Sequence, residues 1–197
     1  FFKYLLEINS GYTVGLSAPS VITLYKGKID YSNSIVIGCS QSGKAADVLE
    51  VIKKGNEQGA ITIGVTNDKE SPIAKEAKFH LYCDCGEEKS VAATKTFSAQ
   101  LYLLLWLAAE LSRNKDDLEH LKNLRKEIES VIPQIDELTT VYADKFKNMK
   151  SGFVLSRGVT YAIALEATLK LQETCYIQMK GYPCLLYTSD AADEEDS

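Results

Sequence analysis

Short apolar runs alternate with helical hydrophobic periodicity in the first part of the chain. Ile35–Ile37 is a β-branched run of the kind that forms a strand buried on both faces of a parallel sheet. The polar stretch Ser40–Gly43 follows, and apolar residues then recur at helical spacing from Ala45 to Ile52. The pattern predicts a strand, a polar turn and a helix that ends near Gln58.

The same alternation continues up to residue 113. Ala60–Thr66 and Phe79–Cys83 predict two further strands. Ser71-Pro72 predicts the start of a short helix, with Ser as N-cap and Pro in the first turn, and a longer helix is predicted over Lys95–Arg113. Because strands alternate with helices, the fold class is predicted to be α/β, a three-layer α-β-α doubly wound parallel sheet.

Four more elements are predicted outside this alternation of strands and helices. Phe1–Asn9 has the pattern of an amphipathic helix, and Gly11–Leu16 has the pattern of a short strand. Asp116–Ser130 and Pro133–Lys150 read as two separate amphipathic helices, because Pro133 cannot donate a helical hydrogen bond. We expect these two helices to form the edge of the domain and a connector.

The strand–turn–helix pattern begins again near residue 152. Gly152–Leu155 predicts a strand, Ser156–Gly158 a polar turn, and a helix is expected from Tyr161. We therefore predict a first domain over residues 1–147, clipped at its N-terminus, and the truncated start of a second copy over residues 148–183.

The end of the chain, Cys184–Ser197, fits none of these periodicities. It resembles the translation of a transposase adapter used in sequencing libraries, and we expect it to be a non-native tail. A genomic amplicon that encodes these residues would contradict this interpretation.

Net charge and composition limit the classes of partner and the location that are expected for this chain. The net charge is −5 and there is no block of Lys or Arg, which argues against nucleic acid or a membrane as the partner. The longest apolar stretch, Leu101–Ala109, is too short to span a bilayer. No signal peptide is visible, although the chain opens on Phe1, and a cytoplasmic location is expected.

The cysteines carry no recognisable signature. Their spacing matches no zinc or redox motif, and the two histidines add no clustered ligands, so we expect reduced thiols and no metal. The five cysteines are Cys39, Cys83, Cys85, Cys175 and Cys184.

The turn after the first buried strand is the strongest candidate site. Backbone N–H groups and the positive end of the following helix favour an anion, and hydroxyl groups add further donors. The sequence predicts a phosphate site there, formed by Ser40, Gln41, Ser42, Gly43 and Lys44.

A second candidate constellation comprises Glu166, Lys170 and Glu173. Their spacing of i, i+4 and i+7 places all three on one helix face. A lysine one turn from a carboxylate keeps that carboxylate ionised, as a general base requires. From spacing alone, a salt-bridged surface stripe is the stronger alternative.

Three stretches together resemble the sugar isomerase (SIS) domain family. They are Ser40–Lys44, Gly86–Lys95 and Ala164–Thr174, and the resemblance extends over about Phe1–Pro183. It implies a flavodoxin-like SIS fold, a sugar-phosphate substrate, no cofactor and a homodimer. Within the family the chain is most similar to the isomerase half of the glutamine:fructose-6-phosphate amidotransferases and to the SIS-type glucosamine-6-phosphate deaminases. The sequence of Ser90–Lys95, together with Asn67-Asp68 and Ser71-Pro72, favours the deaminase group slightly.

The resemblance also implies roles for individual residues in the first domain. Ser40, Gln41 and Ser42 match the phosphate-binding turn of the family, whereas Ala45 stands where the family often has a hydroxyl, for which Lys44 would partly compensate. The loop matched to the sugar-lining loop contains Val91, Ala93 and Thr94. Glu88 matches an acidic residue near that loop, and the alternatives for Glu88 and Lys95 are a solvated loop charge and a helix-start residue.

For the second domain, the resemblance implies that Glu173 is the general base, with Lys170 nearby, and leaves Glu166 with a structural role. The ring-opening histidine and the C-terminal lysine of the family have no counterparts here, nor has the Gly-Thr-Ser turn expected before Phe1. The chain as given is therefore expected to be inactive, whereas its intact parent is expected to be an aldose–ketose isomerase or deaminase.

Three other functions stay open at this point. One is the isomerase half of a glutamine-dependent aminotransferase, and another is a non-catalytic SIS sensor of sugar phosphates, which would need no base at Glu173. A nucleotide-binding domain ranks below these, because neither G-x-G-x-x-G nor G-x-x-x-x-G-K-[ST] follows a strand.

Overall fold

The computed structural model describes residues 1–90 and 92–183. The chain forms two compact units, one made of residues 15–107 and the other of residues 1–14 together with residues 108–183. In chain order the elements are α1 Phe2–Ser10, α2 Pro19–Thr23, β1 Ile35–Cys39, α3 Ala46–Glu57, β2 Ile61–Thr66, α4 Pro72–Glu76, β3 Phe79–Tyr82, α5 Lys95–Leu111, α6 Lys115–Phe146, β4 Ser151–Ser156, a 3-10 turn Gly158–Thr160, α7 Tyr161–Cys175 and β5 Gln178–Pro183.

The unit of residues 15–107 is built on a parallel sheet in the order β1-β2-β3. Ile35 is in register with Ile61, and Ile63 with Phe79. Ile52 of α3 and Ile73 of α4 are fully buried with the sheet. This arrangement confirms the predicted α/β class, because two successive parallel strands are each joined by a helix that covers the sheet.

The other unit contains a smaller parallel pair, β4 and β5, in which Gly152 is in register with Met179. Helix α7 connects the two strands, and its Ala164 and Thr168 are buried together with Met179. Strand β4 and helix α7 were predicted, whereas β5 was not. The unit is therefore one βαβ motif accompanied by α1 and α6.

The strand predicted over Gly11–Leu16 is wrong. Gly11 adopts a left-handed conformation (φ 71°) and ends α1. The N–H of Val14 donates to the carboxylate of Glu7 over 3.0 Å, and the Lys3 ammonium donates to the carbonyl of Val14 over 2.7 Å. Since side chains satisfy the backbone of Val14, this segment needs no neighbouring strand.

The predicted break before Pro133 is also wrong, because α6 continues through it as one helix of 32 residues. A proline removes one helical donor and leaves the carbonyl of Glu129 without its usual partner. The helix is exposed on either side of this carbonyl and the proline, at Ser130 and Ile132. Water can therefore hydrate the carbonyl of Glu129, and the helix continues through Pro133.

The expectations about a membrane span, the cysteines and a metal site can be compared with the described residues only. Within residues 1–90 and 92–183, no helix combines the length and the apolar character that crossing a membrane requires. Across the same residues, Cys39, Cys83, Cys85 and Cys175 are free thiols. No group of three potential ligands capable of holding a metal occurs there either. The tail from Cys184 onward lies outside the described residues.

Candidate functional site

The turn between β1 and α3 lies at the carboxyl edge of the parallel sheet, where ligands of such sheets usually bind. Three backbone hydrogen bonds hold it. The N–H of Ser40 donates to the carbonyl of Val65 over 3.0 Å, and the carbonyl of Gln41 accepts from the N–H of Asn67 over 3.0 Å. The carbonyl of Gly43 accepts from the first turn of α4 over 3.1 Å. The turn is thus fixed by neighbouring elements before any ligand binds.

Both serine hydroxyls of the turn accept backbone hydrogen bonds. The Oγ of Ser40 accepts from the N–H of Gly43 over 3.1 Å, and the Oγ of Ser42 accepts from the N–H of Lys44 over 3.3 Å. A hydroxyl that accepts in this way still has its own proton to donate. Both serines are half-buried, whereas Gln41 and Lys44 are exposed.

Several amide groups of the turn and the first turn of α3 remain unpaired. Within the part of the chain that the structure describes, these N–H groups have no acceptor: Gln41, Ser42, Ala45, Ala46 and Asp47. The N–H of Val48 is different, because it donates to the carboxylate of Asp47 over 2.9 Å. Free amides beside the positive end of a 12-residue helix form a favourable environment for an anion.

Gly43 allows the turn to pass close to the start of α4. Its φ is +64°, and a Cβ built on it would lie 2.1 Å from the Oγ of Ser71. Ser71 is almost fully buried and caps α4 by accepting from the N–H of Ala74 over 3.3 Å. Only glycine satisfies both the backbone angle and the space.

Beneath the turn, the buried hydroxyl of Thr66 contacts two polar side chains. It lies 2.9 Å from Nε2 of His80 and 3.4 Å from Oγ of Ser71. Burial lowers the pKa of His80, which favours a neutral ring at this position. This network supports the turn from the side of the sheet.

The loop before α5 is fixed by Glu88. Its Oε2 accepts from the N–H groups of Thr94 and Thr96, each over 3.1 Å, and from the Thr96 hydroxyl over 3.3 Å. The hydrogen bond from the Thr96 N–H lowers the pKa of the Glu88 carboxyl. Glu88 therefore caps α5 and is not a solvated loop charge, and its role beside the sugar stays a prediction.

The remaining predicted residues of this loop differ in exposure. Ala93 is half-buried, whereas Thr94 and Lys95 are exposed, and the Lys95 ammonium donates to the carbonyl of Glu87 over 2.7 Å. Val91 lies outside the described residues. The binding roles of Ala93, Thr94 and Val91 stay predictions.

The constellation on α7 forms as its spacing predicts. The ammonium of Lys170 lies 2.6 Å from Glu173 and 3.5 Å from Glu166. The bond to Glu173 raises the pKa of Lys170, so the lysine is protonated at neutral pH. The side chain of Glu173 is 34% exposed, which leaves its carboxylate accessible. These three residues belong to the unit that includes α6 and α7.

Together, the parallel α/β unit and its amide-rich turn define a protein of the doubly wound class with a candidate anion site at a strand end. A family model described as the SIS domain matches residues 2–110. That is more than half of the chain, and the chain therefore belongs to the SIS domain family.

Relatives of known sequence agree with this assignment. The chain is 40% identical over 191 residues to the glutamine–fructose-6-phosphate aminotransferase (isomerizing) of Aquifex aeolicus, a match that covers 92% of the chain and 30% of that relative. It is 32% identical over 167 residues to the same enzyme of Sulfolobus acidocaldarius, with 85% and 28% covered. The chain thus spans less than a third of the length of these curated relatives.

A solved structure shares the fold over most of the chain. The C-terminal domain of glucosamine-fructose-6-phosphate aminotransferase from Francisella tularensis superposes with a TM-score of 0.81 at 27% identity, covering 92% of this chain and 54% of that one. The glucosamine-6-phosphate deaminase of Thermotoga maritima has a TM-score of 0.77 at 20% identity, with 95% and 57% covered, and shows the fold alone.

Sequence reasoning overlooked Asn67 as a member of this region. Its backbone N–H holds Gln41, and its side chain contacts the loop that begins after β3. The available signal was its position directly after β2, because polar residues at the carboxyl ends of parallel strands lie at the ligand-binding edge.

Proposed function

We propose that this chain is the sugar-phosphate-binding part of the isomerase half of a glutamine-dependent aminotransferase, which converts fructose 6-phosphate and ammonia from glutamine to glucosamine 6-phosphate and water. The observation that carries the proposal is the turn Ser40–Lys44, with its unpaired amides and two hydroxyls free to donate. The similarity to curated aminotransferases supports the choice of sugar.

In this proposal the turn fixes the phosphate end of an open-chain sugar. Amide and hydroxyl donors bind phosphoryl oxygens, and the exposed Lys44 adds a positive charge nearby. Binding energy at the phosphate, which does not react, then positions the reacting carbons.

Proton transfer is assigned to Glu173. Its carboxylate takes a proton from one of the first two sugar carbons and returns it to the other, through an enediol(amine) intermediate. The ammonium of Lys170 pairs with Glu173 over 2.6 Å, and its positive charge would offset negative charge that develops on a substrate oxygen. No metal is needed for this step.

Residues 148–183 are the start of a second SIS copy in the same proposal. The parallel pair β4 and β5, joined by α7, repeats the motif of β1, α3 and β2 and supports a second copy, whereas the compact units of the structure divide between residues 107 and 108. In the same proposal, the intact protein is a homodimer in the cytoplasm. The chain as given is inactive by itself, and residues 184–197 are a non-native tail.

The test uses the protein encoded by the complete reading frame. It should convert fructose 6-phosphate to glucosamine 6-phosphate with glutamine as nitrogen donor, measured by a coupled assay for the amino sugar. Failure of the complete protein to bind either sugar phosphate would contradict the proposal.

A glucosamine-6-phosphate deaminase is the second candidate, which the sequence of Ser90–Lys95 favours. A deaminase would release ammonia from glucosamine 6-phosphate and would not use glutamine. A sensor would bind the sugar phosphate without converting it. The same assay, run with ammonia, glutamine and no nitrogen donor, separates these three functions.

A further inference from the structure

Asn67 bonds to both loops of the candidate site in the unit of residues 15–107. Its backbone N–H donates to the carbonyl of Gln41 over 3.0 Å, within the phosphate-binding turn. Its side-chain Nδ2 donates to the carbonyl of Gly86 over 2.6 Å, and its Oδ1 accepts from the N–H of Cys85 over 3.2 Å. One residue thus ties the turn after β1 to the loop after β3.

The segment that is bonded to Asn67 contains residues with left-handed backbone conformations. Asp84 and Gly86 both have positive φ, +49° and +70°, and the two backbone groups bonded by Asn67 belong to Cys85 and Gly86. A left-handed conformation at a non-glycine residue is sparsely populated and persists where surrounding contacts enforce it. The Asn67 amide supplies two such contacts.

The far end of the same loop is held independently. Glu88 bonds the N–H groups of Thr94 and Thr96 at the start of α5. The described loop residues 89–90 and 92–93 therefore lie between the contacts made by Asn67 and by Glu88. Ala93, one of the residues assigned to the sugar in the proposed function, is among them, and Thr94 follows them.

We propose that Asn67 is a positioning residue that fixes the sugar-lining loop relative to the phosphate-binding turn. The assignment rests on the proposed function of the turn. Asn67 itself touches the backbone of both loops and acts on the substrate only through them. Its loss changes recognition of the sugar while leaving recognition of the phosphate group intact.

The substitution Asn67→Ala separates these effects, because it keeps the backbone bond to Gln41 and removes both side-chain bonds to the loop. We expect the affinity for inorganic phosphate to stay within about twofold, while the affinity for fructose 6-phosphate falls about tenfold, the equivalent of one hydrogen bond. Both affinities are measured by NMR titration of the 197-residue chain. Without ligand, the Cys85 amide of the Asn67→Ala variant should exchange its hydrogen faster than the same amide of the unsubstituted chain.

Asn56 provides a matched control in the same unit. Its side chain donates to the carbonyl of Glu76 over 2.7 Å and accepts from the Thr62 hydroxyl over 2.6 Å, and it contacts neither loop. Asn56→Ala should lower thermal stability and leave the ratio of the two affinities unchanged. Asn67→Ser is a second variant: its hydroxyl is too short to bond both Cys85 and Gly86, so a selective loss of fructose 6-phosphate affinity is expected there too, and the test survives if the alanine variant does not fold.

The outcomes are distinct. Equal weakening of both ligands in Asn67→Ala, or no change in either, would overturn the positioning role while the proposed function stands. If the unsubstituted chain binds inorganic phosphate but gains nothing from the sugar, the proposed function fails, and the positioning role fails with it.

Discussion

The ammonium of Lys170 lies 2.6 Å from the carboxylate of Glu173, one turn apart on α7. An ion pair this short, with both side chains partly shielded from solvent, places a positive charge directly beside the carboxylate assigned as proton acceptor. The spacing of the two residues predicts the pair, but the spacing is equally compatible with a surface salt bridge. Substitution is needed to distinguish these roles.

Glu173→Gln should lower kcat of the complete protein by about 10²–10⁴-fold, the usual contribution of a general base, with little change in sugar-phosphate affinity. Steady-state kinetics and a direct binding measurement check both parts. Glu129→Gln is a matched control, since Glu129 is also a helical glutamate, 2.8 Å from Arg125. Equal activity of the Glu173 and Glu129 variants would reject the assignment of the base.

Gly43→Ala should destabilise the chain by more than the left-handed backbone alone explains. Adopting φ near +64° costs a non-glycine residue about 1–2 kcal/mol, and the new Cβ also meets Ser71. Gly59→Ala isolates the first effect, because Gly59 has φ +81° and open space around it. Chemical denaturation should rank Gly43→Ala as the more destabilising change. The opposite ranking would mean that the turn relaxes away from α4 without penalty.

Glu88→Gln should reduce stability in a way that depends on pH. Since hydrogen bonds from Thr96 and Thr94 lower the pKa of Glu88 below its usual 4.5, the ionised cap stabilises the fold above the pKa of the unfolded chain. That contribution is lost as the pH falls through the lower pKa of the folded state.

Thermal melts of Glu88→Gln and the unsubstituted chain should therefore differ at pH 7 and converge as the pH falls below the lowered pKa of Glu88 in the folded chain. Glu87→Gln is the control, because among the described residues the exposed Glu87 side chain makes only a long ion pair with the equally exposed Lys89, 3.8 Å away, and caps no helix. A difference in melting temperature that is constant across this pH range would show that Glu88 does not act through its charge.

Ser42→Ala should weaken binding of fructose 6-phosphate by about 1.5–3 kcal/mol, the worth of one hydrogen bond to a charged group. Calorimetric titration measures the loss. Ser130→Ala removes a hydroxyl from the exposed part of α6, where it bonds only the carbonyl of Glu127, and should leave affinity unchanged. Identical affinities in the two variants would remove Ser42 from the binding site.

Much of the fold was predictable because local signals agree with tertiary packing. The run Ile35–Ile37 predicts β1, and Ser71-Pro72 predicts the start of α4 at the residue where the structure places it. Prediction failed where tertiary or solvent contacts override local pattern. Lys3 and Glu7 satisfy the backbone of Val14 from α1, and an exposed helix tolerates Pro133.

The candidate site was predictable in its residue types and less so in its connections. The polar turn after β1 and the pair Lys170 and Glu173 follow from short spacings. The capping role of Glu88 depends on the fold of its loop, which spacing does not reveal. Asn67 acts across three separate segments, so its contacts appear only once the sheet brings these segments together.

The most direct test is an NMR titration of the ¹⁵N-labelled chain with fructose 6-phosphate. The account predicts that the amide signals of Gln41, Ser42 and Ala45 move most, because these N–H groups have no acceptor within the described residues and would donate to the phosphate. Inorganic phosphate should move the same signals at higher concentration. Saturable shifts confined to other parts of the chain, with these three amides unmoved, would contradict the account.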